Sequence, residues 1–137
     1  MTIRCYVDGA CRPNPGKGGI GVVIRGDSWD YTVSKALPGN KVSNNQAEYQ
    51  SIIEALLQLS LNNLYDRKIV IYSDAEMAVE QLNGERGVER GSYVPYYRTA
   101  KTLKVKFPKL SFSWIPREQN AETNLLASEA ITYKEVI

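Results

Sequence analysis

Within residues 3–35 the chain carries three β-prone runs separated only by turn signals and a Gly/Pro-rich stretch; after Ser43 every further β-prone run follows a helical one. This change of rhythm constrains the fold more than any other feature. Strands joined by hairpins pair antiparallel, whereas strands reached through a helix lie parallel. The first run, residues 3–7, closes on Asp8-Gly9. Residues 11–19, with two Pro and three Gly, read as a loop, and residues 20–25 as a second strand. Gly26-Asp27 is a hairpin signal before a third strand, residues 29–35, which Pro38-Gly39-Asn40 ends.

Ser43, with Gln46 three residues on, reads as the N-cap of a helix reaching about Leu61. Ile52, Ile53, Leu56, Leu57 and Leu59 supply its core-facing stripe. Asn62-Asn63 ends it, and residues 68–72 form a buried-strand candidate running into Ser73-Asp74. A short helix over residues 75–82 closes on Asn83-Gly84, and Gly87 and Gly91 mark a connection. Pro95 starts a helix to about Val105, residues 110–115 form the last strand, residues 116–120 a loop, and residues 122–133 the last helix. The order β-β-β-α-β-α-α-β-α predicts an α/β fold: a mixed sheet covered by helices, in one domain over residues 1–137.

The chain contains no His, which removes Ser-His and Cys-His catalysis and every His-ligated metal. Any catalysis rests on carboxylates, amides, hydroxyls and basic groups. The net charge of +2 hides an asymmetry: residues 86–117 carry +7 and the remainder −5. Tyr93, Tyr96, Tyr97 and Phe107 interleave the basic residues, a mixture suited to a polyanion and equally to a half-buried helix. Cys5 and Cys11 form no CxxC pair and read as reduced thiols. The N-terminus shows no apolar signal-peptide run, and no apolar stretch is long enough to span a bilayer, so a cytoplasmic protein that binds no membrane is expected.

Three carboxylates stand out by position. Asp8 closes the first strand, Asp74 follows the fourth, and Glu48 lies in the first turns of the long helix. Ligands of α/β sheets gather at the carboxyl ends of strands. If the first and fourth strands are adjacent and parallel, Asp8 and Asp74 lie side by side and Glu48 reaches them. Crowded carboxylates repel unless a cation intervenes, and oxygen ligands suit Mg²⁺ or Mn²⁺. Two such ions activate a water and stabilise the leaving oxygen of a phosphodiester, with no His required. Each residue also has a simpler explanation: Asp8 as a turn former, Asp74 as a helix N-cap, Glu48 as a favourable charge near a helix N-terminus.

Tyr6-Val7-Asp8-Gly9-Ala10, the stretch from Asn14-Pro15-Gly16 to Gly21, Ser43-Asn44-Asn45-Gln46-Ala47-Glu48-Tyr49, Tyr72-Ser73-Asp74 and Trp114-Ile115-Pro116-Arg117-Glu118-Gln119-Asn120 resemble type 1 ribonuclease H in order and approximate spacing. The resemblance covers nearly the whole chain. It implies a five-stranded mixed sheet with helices on both faces. It also implies endonucleolytic hydrolysis of the RNA strand of RNA–DNA hybrids, with 5′-phosphate and 3′-hydroxyl products. By the same resemblance a monomer holds two Mg²⁺ or Mn²⁺ ions on catalytic Asp8, Glu48 and Asp74. Gly9, Asn14, Asn44, Asn45, Gln46 and Arg117 would then face the substrate, amides being suited to 2′-hydroxyls and base edges.

The family's last motif, Asn-x-x-Ala-Asp-x-Leu-Ala, reads here Asn120-Ala121-Glu122-Thr123-Asn124-Leu125-Leu126-Ala127. Asn124 stands at the fourth catalytic and metal-ligand position; its carbonyl coordinates without bringing charge. The loop His of many members is absent too, with Arg117 and Glu118 the nearest candidates for its role. Two alternatives follow: a hybrid-binding protein without turnover, and a nuclease or resolvase of the same fold acting on DNA, against which the Asn44-Asn45 amides count.

Overall fold

The computed structural model describes residues 2–133. Residue 1 and residues 134–137, the ends of the expected domain, lie outside the described residues. Five strands form one sheet: β1 (Ile3–Arg12), β2 (Lys17–Arg25), β3 (Asp30–Ala36), β4 (Ile69–Ser73) and β5 (Leu110–Trp114). They are ordered β3-β2-β1-β4-β5. The first three pair antiparallel, whereas β1–β4 and β4–β5 are parallel. The mixed sheet expected from the element order is the one observed.

The helices are α1 (Asn44–Leu61), α2 (Glu76–Leu82), α3 (Val94–Lys104) and α4 (Ala121–Tyr133). Helix α1 packs on β1 and β2 with α3 against it, and α4 covers β2, β1 and β3. Between α1 and the sheet, Val7, Val22, Ile24, Ile52, Leu56, Leu59, Ile69 and Ile71 are fully buried. Each such side chain contributes roughly 1.5–3 kcal/mol through removal from water. Leu57, expected in the stripe, is 42% exposed. Ile52, Leu56 and Leu59 follow the 4–3 spacing of one helix face, and Leu57 falls beside it.

Residues 11–19 differ most from expectation. They are the end of a long hairpin, with Arg12 paired to Lys17 and Cys11 to Gly18. Of the glycines read as loop formers, Gly18 and Gly19 are strand residues of β2. A Cβ on Gly19 would lie 2.7 Å from the Ala127 carbonyl oxygen, so only glycine lets α4 rest on β2 there. Helix α1 begins as expected, with the Ser43 hydroxyl accepting from the Gln46 N–H at 3.1 Å.

Candidate active site

The parallel register ends on Val7 opposite Ser73, so the next residues, Asp8 and Asp74, are neighbours where β4 stops. Asp8 does not end β1, contrary to the sequence expectation: it pairs with Gly21 while β1 continues to Arg12. Gly9 is a strand residue paired with Ile20, and it is glycine because α1 crosses it too closely for a side chain. A Cβ there would stand 2.2 Å from the Ala47 carbonyl oxygen. This contact brings Glu48 down onto the strand, where its Oε1 accepts the Gly9 N–H. Gly9, expected to give substrate access to backbone, also sets the helix and orients Glu48.

Oxygens of Asp8, Glu48 and Asp74 all lie within 4.8 Å of one another. Asp8 is only 4% exposed. Burial, then the charge of Asp74, pushes its carboxyl up to about 7, although Glu48 and Arg117 oppose the rise. Burial, then the charges of Asp8 and Asp74, pushes Glu48 well above the carboxylate range, with the Gly9 N–H opposing.

The simpler explanations of Asp8 and Asp74 fail on geometry. Asp74 caps nothing: Ala75 occupies the N-cap of α2, and the Ser73 hydroxyl accepts the Ala75 N–H at 3.0 Å. Asp8 is in a strand, not a turn. Among the described residues, the buried side-chain oxygens without a hydrogen-bond partner include Asp74 Oδ2 and Asn124 Oδ1. Buried polar atoms are nearly always paired, so the orphaned Asp74 oxygen within the carboxylate cluster calls for a ligand. Clustered carboxylates with unpaired oxygens fit hard divalent cations.

Asn124 is held at the start of α4. Its Nδ2 donates to the Arg117 carbonyl at 3.1 Å, which fixes the amide and turns Oδ1 away from that carbonyl. Asn120, to which the sequence assigns no role, ties the same helix end to β1: its Nδ2 donates to the Val7 carbonyl at 2.9 Å, one residue before Asp8. Thr123 donates in turn to the Asn120 side chain. The Asn-x-x-Thr spacing at a helix start was the available signal. Glu122 does not supply the missing charge, because it pairs with Arg25 at 3.3 Å on another side of the helix.

A cleft of about 490 Å³ opens over the cluster, and Asp8, Gly9, Asn44, Asn45, Glu48 and Arg117 line it. Asn14 lies beside it, its Oδ1 accepting the Asn44 N–H at 3.1 Å. Gln46 departs from expectation. Its amide donates to Gln50 at 3.1 Å and to the Tyr96 hydroxyl at 3.2 Å, toward α3. Asn44, Asn45 and Glu48 share a helix face at positions i, i+1 and i+4, and Gln46 falls outside it. The sequence also left Cys11, Met77 and Ser128 out of the cleft wall that they join.

The basic region divides. Arg117 lines the cleft, whereas Arg86, Arg90 and Arg98 wall a separate concavity of about 670 Å³ beside α2 and α3. Lys104 serves the fold, donating to the Leu82 carbonyl at 2.6 Å. No helix among the described residues is long and apolar enough to cross a membrane.

Residues 6–130 match a family described as reverse transcriptase-like. The chain is 31% identical over 129 residues to a putative hydrolase, EbsB, of Enterococcus faecalis, covering 94% of this chain and 93% of that one. It is 30% identical over 130 residues to ribonuclease HI of Halobacterium salinarum, covering 94% of this chain and 64% of that protein. Its fold superposes on LC11-RNase H1, isolated from compost, with a TM-score of 0.87 at 33% identity over 99% of both chains. The same protein in complex with an RNA/DNA hybrid gives a TM-score of 0.85 at 32% identity, over 98% of this chain and 99% of that one. Together with the carboxylate cluster at the end of β4, these likenesses settle the family: the chain belongs to the reverse transcriptase-like family, as a ribonuclease H enzyme.

Proposed function

We propose that the chain hydrolyses the RNA strand of RNA–DNA hybrids as a divalent-metal-dependent endonuclease, leaving 5′-phosphate and 3′-hydroxyl ends. The observation that carries this reading is the triad of Asp8, Glu48 and Asp74 within 4.8 Å, with an orphaned oxygen on Asp74. Those three residues, with Asn124 as the fourth ligand, would hold two Mg²⁺ or Mn²⁺ ions. Such ions, when bound, supply charge neutralisation, a more acidic water and stabilisation of the leaving oxygen.

The protein's own groups do the rest. Gly9 fixes Glu48 through its N–H, and Asn120 fixes the start of α4 on β1. Asn14, Asn44 and Asn45 present amides for 2′-hydroxyls and base edges, and Arg117 sets a positive charge beside the cleft for the phosphate. We place these roles in one monomeric domain. A reducing, cytoplasmic setting suits its two free thiols.

One observation favours a second reading, hybrid binding without turnover: Asn124 brings an oxygen but no charge to the fourth position. Cleavage of a labelled hybrid with Mg²⁺ and with Mn²⁺, comparing the chain with Asn124→Asp, separates the two. Metal-dependent RNA cleavage by the unaltered chain supports the enzyme. Tight binding with turnover only in Asn124→Asp supports the second reading.

A further inference from the structure

Cys11 lies at the end of β1, 9% exposed, on the wall of the cleft. Its Sγ stands 3.1 Å from Asn44 Oδ1 and 3.4 Å from Asn14 Oδ1. The Asn14 oxygen also accepts the Asn44 backbone N–H at 3.1 Å. One thiol thus faces the carbonyl ends of two amides, and the three residues clamp the β1–β2 hairpin to the first turn of α1. A thiol has one proton, and the shorter contact directs it to Asn44. Burial raises the Cys11 thiol, which keeps that proton in place at neutral pH.

An exposed asparagine side chain can turn over, exchanging its donor and acceptor ends at small cost. Asn44 is held against that exchange: with Oδ1 directed at the thiol, its NH₂ group points the other way. Among the described residues, no protein acceptor takes the NH₂ protons of Asn44 or Asn14. We propose that Cys11 is a positioning residue that locks the Asn44 side chain, beside an Asn14 whose Oδ1 the Asn44 backbone N–H already holds, with the Asn44 amide NH₂ as a donor toward the substrate. The ligand atoms met there are therefore acceptors, such as a 2′-hydroxyl oxygen or an acceptor on a base edge in the minor groove. The sulfur itself touches no substrate.

This inference rests on the hybrid-cleaving reading for its kinetic arm and is independent of it for its structural arm. The kinetic arm measures KM and kcat on an RNA–DNA hybrid for Cys11→Ala, Cys11→Ser, Asn44→Ala and the Cys11→Ala/Asn44→Ala pair. Loss of one hydrogen bond predicts a KM about fivefold higher in Cys11→Ala with kcat unchanged, and return to within about twofold in Cys11→Ser, whose hydroxyl still donates. In the Asn44→Ala background, Cys11→Ala is expected to add nothing, because its effect runs through the missing amide. An unchanged KM in Cys11→Ala, or an equal penalty with and without Asn44, overturns the proposal. The structural arm follows the Asn44 side-chain NH₂ by ¹⁵N NMR in the free protein. The amide is expected to be ordered in the unaltered chain, mobile in Cys11→Ala and ordered again in Cys11→Ser; equal order in all three overturns the proposal. A chain that shows this amide pattern but leaves the hybrid uncut refutes the ribonuclease reading and upholds the positioning role.

Discussion

Glu48 and Tyr49 are neighbours on α1, yet they enter two polar clusters of opposite character. The Tyr49 hydroxyl donates to Gln81 Oε1 at 2.6 Å. The Gln81 amide donates to the Tyr93 hydroxyl at 3.2 Å and to the Gly87 carbonyl at 3.1 Å. Tyr93 in turn accepts the Glu89 N–H at 3.1 Å. Every polar side-chain group in that cluster is partnered within the protein, and the network pins the link between α2 and α3 to the core. Glu48 instead meets Asp8 and Asp74, and an oxygen of Asp74 has no partner at all. A buried polar network that satisfies itself specifies structure, whereas one left unsatisfied and like-charged marks a place where something else must bind. The two clusters thus assign structure and function to adjacent residues of one helix.

Substitutions on the two sides should separate stability from activity, and the largest effect belongs to the carboxylates. Asp8→Asn or Asp74→Asn should lower hybrid cleavage by about a thousandfold or more, since each removes a charge the site is built around. Asp8→Asn should at the same time stabilise the metal-free chain at pH 8, by roughly 1–3 kcal/mol, because it deletes a penalised charge. Gln81→Leu should do the reverse. It strands the Tyr49 hydroxyl and the Gly87 carbonyl, Tyr93 keeping its Glu89 partners, and costs about 1–3 kcal/mol in urea unfolding, while kcat per folded molecule stays within about twofold. A destabilised Asp8→Asn, or an inactive but fully folded Gln81→Leu, would break the distinction.

The divalent ion and pH sharpen it further. Saturating Mg²⁺ or Mn²⁺ should raise the thermal midpoint of the unaltered chain, by about 1–3 kcal/mol of stability at ten to a hundred times Kd, and leave Asp8→Asn nearly unmoved. The folded-state pKa of Asp8 is raised from the usual carboxylate value to about 7. Its protonated form is thus favoured on folding, and the stability this group contributes without metal is present near pH 4 and lost as pH rises to about 7. Metal binding needs the ionised form and should strengthen over the same window, so stability with and without metal should follow opposite slopes. The smallest effect is that of Asn124→Asp. The added charge should tighten metal binding only several-fold, because a carboxylate cannot donate to the Arg117 carbonyl as the Asn124 amide does.

Strand order and helix placement were legible because hairpin turns, caps and apolar runs are local signals. Asn62-Asn63 and Asn83-Gly84 end α1 and α2 where they were expected to, with Asn63 and Gly84 at φ 56° and 75°. The Cys11-to-Gly19 stretch was misread because the use of its glycines is non-local: nothing in residues 11–19 reveals that α4 rests on β2. The juxtaposition of Asp8 with Asp74 followed from topology. What topology left open was how the site is braced, by Gly9 on Glu48 and by Asn120 on Val7, contacts spanning 39 and 113 positions. The outward turn of Gln46 was recoverable from helical periodicity, but its motif neighbours pulled it into the site.

We assign metal-dependent cutting of a hybrid to the unsatisfied carboxylate cluster. The direct measurement incubates the chain with an RNA–DNA hybrid carrying a different label on each strand, with Mg²⁺, with Mn²⁺ and with chelator. Internal cuts in the RNA strand are expected with either ion, with an intact DNA strand and no cutting in chelator or by Asp8→Asn. An RNA strand left whole with both ions at high enzyme concentration, or cut equally by Asp8→Asn, would contradict that assignment.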